Sequence, residues 1–155
     1  MICIANTLRP EDVLLDPPVA TPGEALELVA ELLKDDERVL DWKAFHEVLN
    51  SHPPCKVDEG VGFGICIPHA RTETVSEMVL SAARVNKGLL FPDCSKPVRY
   101  LFCIGVPRAM TSDYLRIAGA LMRIFKDPAC EQELRTARTP AEFVEALSAL
   151  ERKLT

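Results

Sequence analysis

The chain has 155 residues, 48% of them hydrophobic and 26% charged, and carries a net charge of −5. That is the size and make-up of one soluble globular domain spanning 1–155, and the acidic balance argues against nucleic acid or an anionic membrane surface as a partner. No apolar run approaches the roughly 20 residues a membrane-spanning helix needs, and the opening MICIANTLRPEDVLL lacks the basic start and long apolar run of a signal peptide, so a cytoplasmic protein is expected.

In chain order, Val13-Leu14-Leu15 reads as a short strand broken by Asp16-Pro17-Pro18. Thr21-Pro22-Gly23-Glu24 then starts a helix, with Thr21 as N-cap, Pro22 at the first helical position and Glu24 completing a capping box. Leu26, Val29, Ala30 and Leu33 share one helical face, which carries the helix to about Leu33 or Lys34. A second helix begins near Asp41 and buries Trp42, Phe45, Val48 and Leu49. His46 lies within it and His52 just past its end, both read as surface or boundary histidines. Pro53-Pro54 ends that helix.

Three apolar β runs follow: Ile65 to Ile67, Met78 to Val85 and Tyr100 to Val106. The last is apolar enough to be central and buried on both faces. Gly88 and Pro92-Asp93 mark the turns between the last two runs. Beyond Pro107 the chain reads as helical. Thr111 or Ser112 caps a helix with Leu115, Ala118, Leu121, Met122 and Phe125 as its apolar residues. Asp127-Pro128 starts a short helix ending near Ala137. Thr139-Pro140-Ala141-Glu142 caps a last helix that turns Phe143, Leu147 and Leu150 inward. The expected fold is α/β, a mixed central sheet flanked by helices.

The six cysteines stand singly, at Cys3, Cys55, Cys66, Cys94, Cys103 and Cys130. None forms a CxxC pair, so neither a metal site nor a disulfide framework is expected. Cys66 and Cys103 sit inside apolar runs, where Cys acts as a small hydrophobe. No cofactor is expected.

The chemistry concentrates in Gly60 to Arg71, GVGFGICIPHAR. Gly60, Gly62 and Gly64 form a permissive loop that lets another group approach the backbone. Pro68 stops the Ile65-Cys66-Ile67 run and leaves His69 where the strand ends and the chain emerges. Histidine titrates at about 6.5 as a residue type, so much of it is an unprotonated nucleophile near neutral pH. Nearby backbone N–H groups can hold an anion such as phosphate. Taken locally, these residues leave two readings open: a phosphate-handling histidine, or a surface histidine at a capped strand end.

The segment resembles the active-site run of the fructose/mannitol-type EIIA domains of the bacterial phosphotransferase system, G-[IV]-G-x-G-[IV]-A-[IV]-P-H. The likeness extends through LRPEDVLLD, Ser81-Ala82-Ala83-Arg84-Val85, Gly88, Lys96-Pro97-Val98, Leu101 to Pro107, the helix after Thr111 and the TPAEFVEAL ending. It implies an EIIA fold with His69 as phosphoacceptor, an HPr-type protein as donor, and an EIIB component or a regulated target as onward partner. It covers the sugar-uptake and the nitrogen-regulatory branches alike.

Against that pattern, the family's second histidine reads Tyr114, and the upstream arginine is absent from the His52 to Glu59 segment. Tyr114 is then expected to place its hydroxyl within hydrogen-bond reach of His69 or of an anion beside it. Arg71 or Lys56 would supply positive charge, whereas Asp58 and Glu59 would bring negative charge to the phosphoryl group. Phe63, at the loop tip, and Tyr114 are expected to form an apolar collar for partner docking. The alternative function is a regulatory binding protein that keeps this fold without efficient transfer.

Overall fold

Two long strands decide the architecture, because successive side chains along each must be buried on opposite faces. In the computed structural model, which describes residues 1–57 and 62–154, these are β5 (Val79–Leu89) and β6 (Val98–Val106). They pair antiparallel, with Ser81 opposite Cys103 and Ala83 opposite Leu101. Tyr100, Phe102 and Ile104 of β6 join one apolar cluster, while Leu101 and Cys103 join another on the opposite face. A strand buried on both sides needs a helical layer on each, and the rest of the chain supplies them.

The remaining strands are β1 (Leu8–Leu15), β2 (Cys55–Val57), β3 (Gly64–Ile67) and β4 (His69–Arg71). The sheet runs β1-β5-β6-β3-β2, with β4 also on β6. It is mixed: β1 is parallel to β5, β3 and β4 are parallel to β6, and β2 is antiparallel to β3. Helices α1 (Pro22–Glu31) and α2 (Trp42–Leu49) cover one face. Helices α3 (Thr111–Lys126), α4 (Pro128–Arg135) and α5 (Pro140–Leu154) cover the other.

Local capping chemistry explains where most helices begin. The Thr21 hydroxyl accepts the Glu24 amide, Asp41 accepts that of Ala44, Asp127 that of Ala129, and Thr139 that of Glu142. Each satisfies an N–H that the first helical turn leaves without an internal partner. Helix α3 differs from expectation. Its N-cap is Met110, with no side-chain cap, rather than Thr111 or Ser112. Its inward face is Ile117, Ala120, Leu121, Ile124 and Phe125, and Leu115 is 62% exposed.

Gly88 is not a turn residue. It sits inside β5 at φ +79°, where the register with β6 shifts between Arg84 and Leu89. A Cβ there would lie 2.7 Å from Cβ of Pro97, so both the conformation and the close approach require glycine.

Two of the buried polar links between the layers involve more than one bond. The Arg84 guanidinium donates from Nη1 to the carbonyls of Leu134 and Ala137 at the end of α4, and from Nη2 to Asp16 at 2.7 Å. The Glu151 carboxylate accepts the amides of Ile4 and Ala5 at 2.8 and 3.1 Å, tying α5 to the start of the chain.

Candidate active site

Pro68 interrupts a strand without ending it. A proline has no N–H for the ladder, yet its carbonyl still accepts the Ile104 amide at 3.0 Å. Cys66 pairs with Leu101 before it and His69 with Ile104 after it, at the same offset to β6. His69 is therefore the first residue of β4, not a residue on a chain leaving the sheet. Ile65 and Ile67 belong to the cluster on the α3 side, while Cys66 and Ala70 belong to the α1/α2 side. Alternation carries His69 and Arg71 to the α3 side.

His69 is half-buried, and its Nδ1 lies 3.1 Å from the Ile67 carbonyl oxygen. A carbonyl only accepts, so Nδ1 holds the hydrogen and the neutral ring keeps its lone pair on Nε2. Tyr114, in the first turn of α3, stacks on His69 with ring centroids 5.0 Å apart and planes 29° apart. The contact with His69 is ring to ring; no hydrogen bond joins the Tyr114 hydroxyl to His69 among the described residues. Burial pushes the Tyr114 phenol above its ordinary value, with a smaller contribution from Cys55. The phenol therefore stays protonated and uncharged near neutral pH.

Arg71 is exposed and donates from Nη1 to Thr111 Oγ1 at 3.1 Å. That bond sets its guanidinium beside the N-terminus of α3, whose first-turn amides carry partial positive charge. His69, Arg71 and Tyr114 are thus gathered where β4 meets α3. Lys56 is not with them. It pairs with Cys66, on the other face, and its ammonium engages Asp93 at 2.7 Å and the ring of Phe91.

Gly62 has φ +99°, the left-handed conformation that glycine tolerates, and Gly64 opens β3. Gly60, Asp58 and Glu59 lie outside the described residues. Phe63 corrects an expectation. It is 3% exposed and packs against Tyr100 and Phe125, with the Arg99 guanidinium over its ring. Burial of a phenyl ring is worth about 1.5–3 kcal/mol, and the Tyr100–Phe125 cluster offers it a site. Among the described residues, the large exposed apolar side chain near the site is instead Leu115, next to Tyr114.

The residue that sequence reasoning passed over is His52. Its ring meets His69 with centroids 5.4 Å apart at 72°. The signal was the three-residue strand β2. Cys55 pairs antiparallel with Ile67 at the end of β3, so the chain just before β2 arrives near the start of β4. Pairing Cys55-Lys56-Val57 with Ile65-Cys66-Ile67 would have brought the segment around His52 toward His69, though not the ring contact itself.

Among the described residues no group of three or more His, Cys, Asp or Glu is placed to hold a metal ion, and no helix is long and apolar enough to cross a membrane. A histidine with one nitrogen held by the backbone and the other without a hydrogen-bond partner among the described residues, beside a guanidinium and a helix N-terminus, suits an anionic electrophile. Comparison with known proteins gives the family of the chain. The chain is 34% identical to a fructose-specific EIIA component of the phosphotransferase system from Haloferax volcanii, over 92% of this chain and 94% of that one. Its fold matches the nitrogen regulatory protein IIA-Ntr of Neisseria meningitidis with a TM-score of 0.74, 24% identity, and coverage of 93% and 98%. It also matches the mannitol enzyme IIA of Escherichia coli, solved in complex with its phosphorylated enzyme IIB, with a TM-score of 0.70, 17% identity, and coverage of 92% and 99%. Residues 6–150 match the family described as phosphoenolpyruvate-dependent sugar phosphotransferase system, EIIA 2, and the chain belongs to that family.

Proposed function

We propose that this protein is a cytoplasmic phosphocarrier that accepts a phosphoryl group from an HPr-type protein on Nε2 of His69. The observation that carries the reading is the 3.1 Å bond from His69 Nδ1–H to the Ile67 carbonyl. It fixes the tautomer and aims the nucleophilic nitrogen before any partner arrives, which removes an ordering cost from the transfer. The Nε2 lone pair forms the new N–P bond as the donor's N–P bond breaks, and that electron pair returns to the donor imidazole. Arg71 and the first turn of α3 offset the charge on the phosphoryl oxygens. Tyr114 forms a flat wall that holds the ring. The group then passes to an EIIB-type acceptor, or its presence is read by a regulated target.

Incubation with enzyme I, HPr and labelled phosphoenolpyruvate tests this directly. Wild type should take up acid-labile label, and His69→Ala should take up none. Label that survives in His69→Ala, or no label on wild type, would overturn it. A second reading, a regulatory EIIA-like protein without efficient transfer, is favoured by one observation: Tyr114 stacks on His69 but brings no charge. The same labelling decides between the two.

A further inference from the structure

His52 brings a second imidazole to His69 from a separate part of the chain. The approach is stiff, because Pro53 and Pro54 follow it at once and each fixes its own φ. The ring is also oriented. The Ser51 hydroxyl donates its single proton to the Val48 carbonyl at 2.6 Å, so toward His52 Nδ1, 3.2 Å away, it can only accept. Nδ1 of His52 therefore carries hydrogen, and Nε2 has no hydrogen-bond partner among the described residues. Both histidines are held alike, Nδ1 tied to the chain and Nε2 available. His52 is exposed and, with Leu49, Pro54 and Pro68, lines an open groove of about 430 Å³. Glu27 of α1 faces the same groove, but its carboxylate is engaged by Nε2 of His46 in α2 at 3.0 Å.

We propose that His52 binds the phosphoryl group carried by His69, with its protonated Nε2–H donating to a phosphoryl oxygen. A dianion arriving beside an imidazole favours the protonated ring, and a charge-assisted hydrogen bond is the stronger kind. His52 thereby supplies the positive charge that Tyr114 cannot. It takes no part in bond making: the exposed ring takes its Nε2 proton from water, the N–P bond forms at His69 Nε2, the donor's N–P bond breaks toward the donor ring, and His52 keeps that proton throughout the transfer. This inference rests on His69 being the phosphoacceptor.

The test measures the rate of HPr-dependent labelling in His52→Ala, His52→Phe and His52→Arg, with circular dichroism confirming the fold of each. Loss of one hydrogen bond to a charged group corresponds to a slowing on the order of tenfold to a hundredfold. That is the result expected for His52→Ala. His52→Phe, which keeps a ring but no nitrogen, should be equally slow, and His52→Arg should recover most of the rate. Rates within twofold of wild type in His52→Ala would overturn the inference, as would rescue by Phe or failure of Arg to rescue. Wild type that takes no label would overturn the phosphoacceptor reading itself, and the role of His52 with it. Label on wild type that ignores every His52 substitution would overturn the role of His52 alone.

Discussion

His69 and Tyr114 lie ring against ring, 29° from parallel with centroids 5.0 Å apart. An aromatic pair of this kind is worth about 0.5–1.5 kcal/mol beyond its buried area. If the stacked face is what positions His69, Tyr114→Phe should transfer at nearly the wild-type rate. Tyr114→Ala, which removes the wall, should be slower by about threefold to tenfold. Time courses of acid-labile labelling will read both. A Phe variant as slow as the Ala variant would move the role from the ring to the hydroxyl.

Arg84 should be a stability residue with no direct part in transfer. It joins β5 to the carbonyls of Leu134, in the last turn of α4, and of Ala137, just beyond it, and to Asp16. Removing a buried guanidinium leaves those acceptors unpaired, and Arg84→Met is predicted to cost about 3 kcal/mol. Urea unfolding is the check. A loss below about 0.5 kcal/mol would mean that water replaces these bonds at no cost.

Gly105 is predicted to be intolerant of the smallest side chain. A Cβ there would meet Val79 Cγ2 at 2.6 Å, Phe45 Cε2 at 3.0 Å and Val75 Cγ1 at 3.2 Å. Gly105 pairs with Ala70 between His69 and Arg71, so displacement of Phe45 would reach the backbone of the site. Gly105→Ala should lose about 1–3 kcal/mol through overpacking. Thermal denaturation that leaves the midpoint unmoved would show that Val79, Phe45 and Val75 all yield without strain.

Stability should fall in alkali for an identifiable reason. Burial pushes the thiols of Cys66 and Cys103 up to about 12, against about 8.5 for an exposed cysteine. Between those values the unfolded chain has lost protons that the folded chain keeps. The stabilisation is whole below about pH 8.5 and declines as pH rises toward 12, at about 1.4 kcal/mol per pH unit for each thiol. A Cys66→Ala/Cys103→Ala variant, compared with its own stability at pH 8, should decline less steeply to pH 10.5 than wild type. Parallel declines would refute the assignment.

What was legible in the sequence divides by the range of the forces involved. The caps at Thr21, Asp127 and Thr139 act within three residues, and the residues themselves announce them. The burial of β6 on both faces follows from its unbroken apolar run. Helix α3 was misphased because Leu115 looks like a core residue until the position of the sheet is known; the inward stripe begins at Ile117. Phe63 was expected at a loop tip because its partners, Tyr100 and Phe125, come from distant parts of the chain. The three-residue strands β2 and β4 are too short to show a period, and missing them hid the approach of His52 to His69. His69, Arg71 and Tyr114 were readable as candidates, but the stacking of Tyr114 and the bond from Arg71 to Thr111 depend on where α3 meets the sheet.

Glu151 grips the amides of Ile4 and Ala5 across a separation of 147 residues for Ile4. The polypeptide consequently leaves this fold close to where it enters, and its covalent order is nearly a closed ring. Joining the end of α5 to residue 1 through a few flexible residues would complete the ring without touching β4 or α3. A circularised chain has fewer unfolded conformations to lose on folding. It should melt at a higher temperature than the linear protein while His69 keeps the same neighbours.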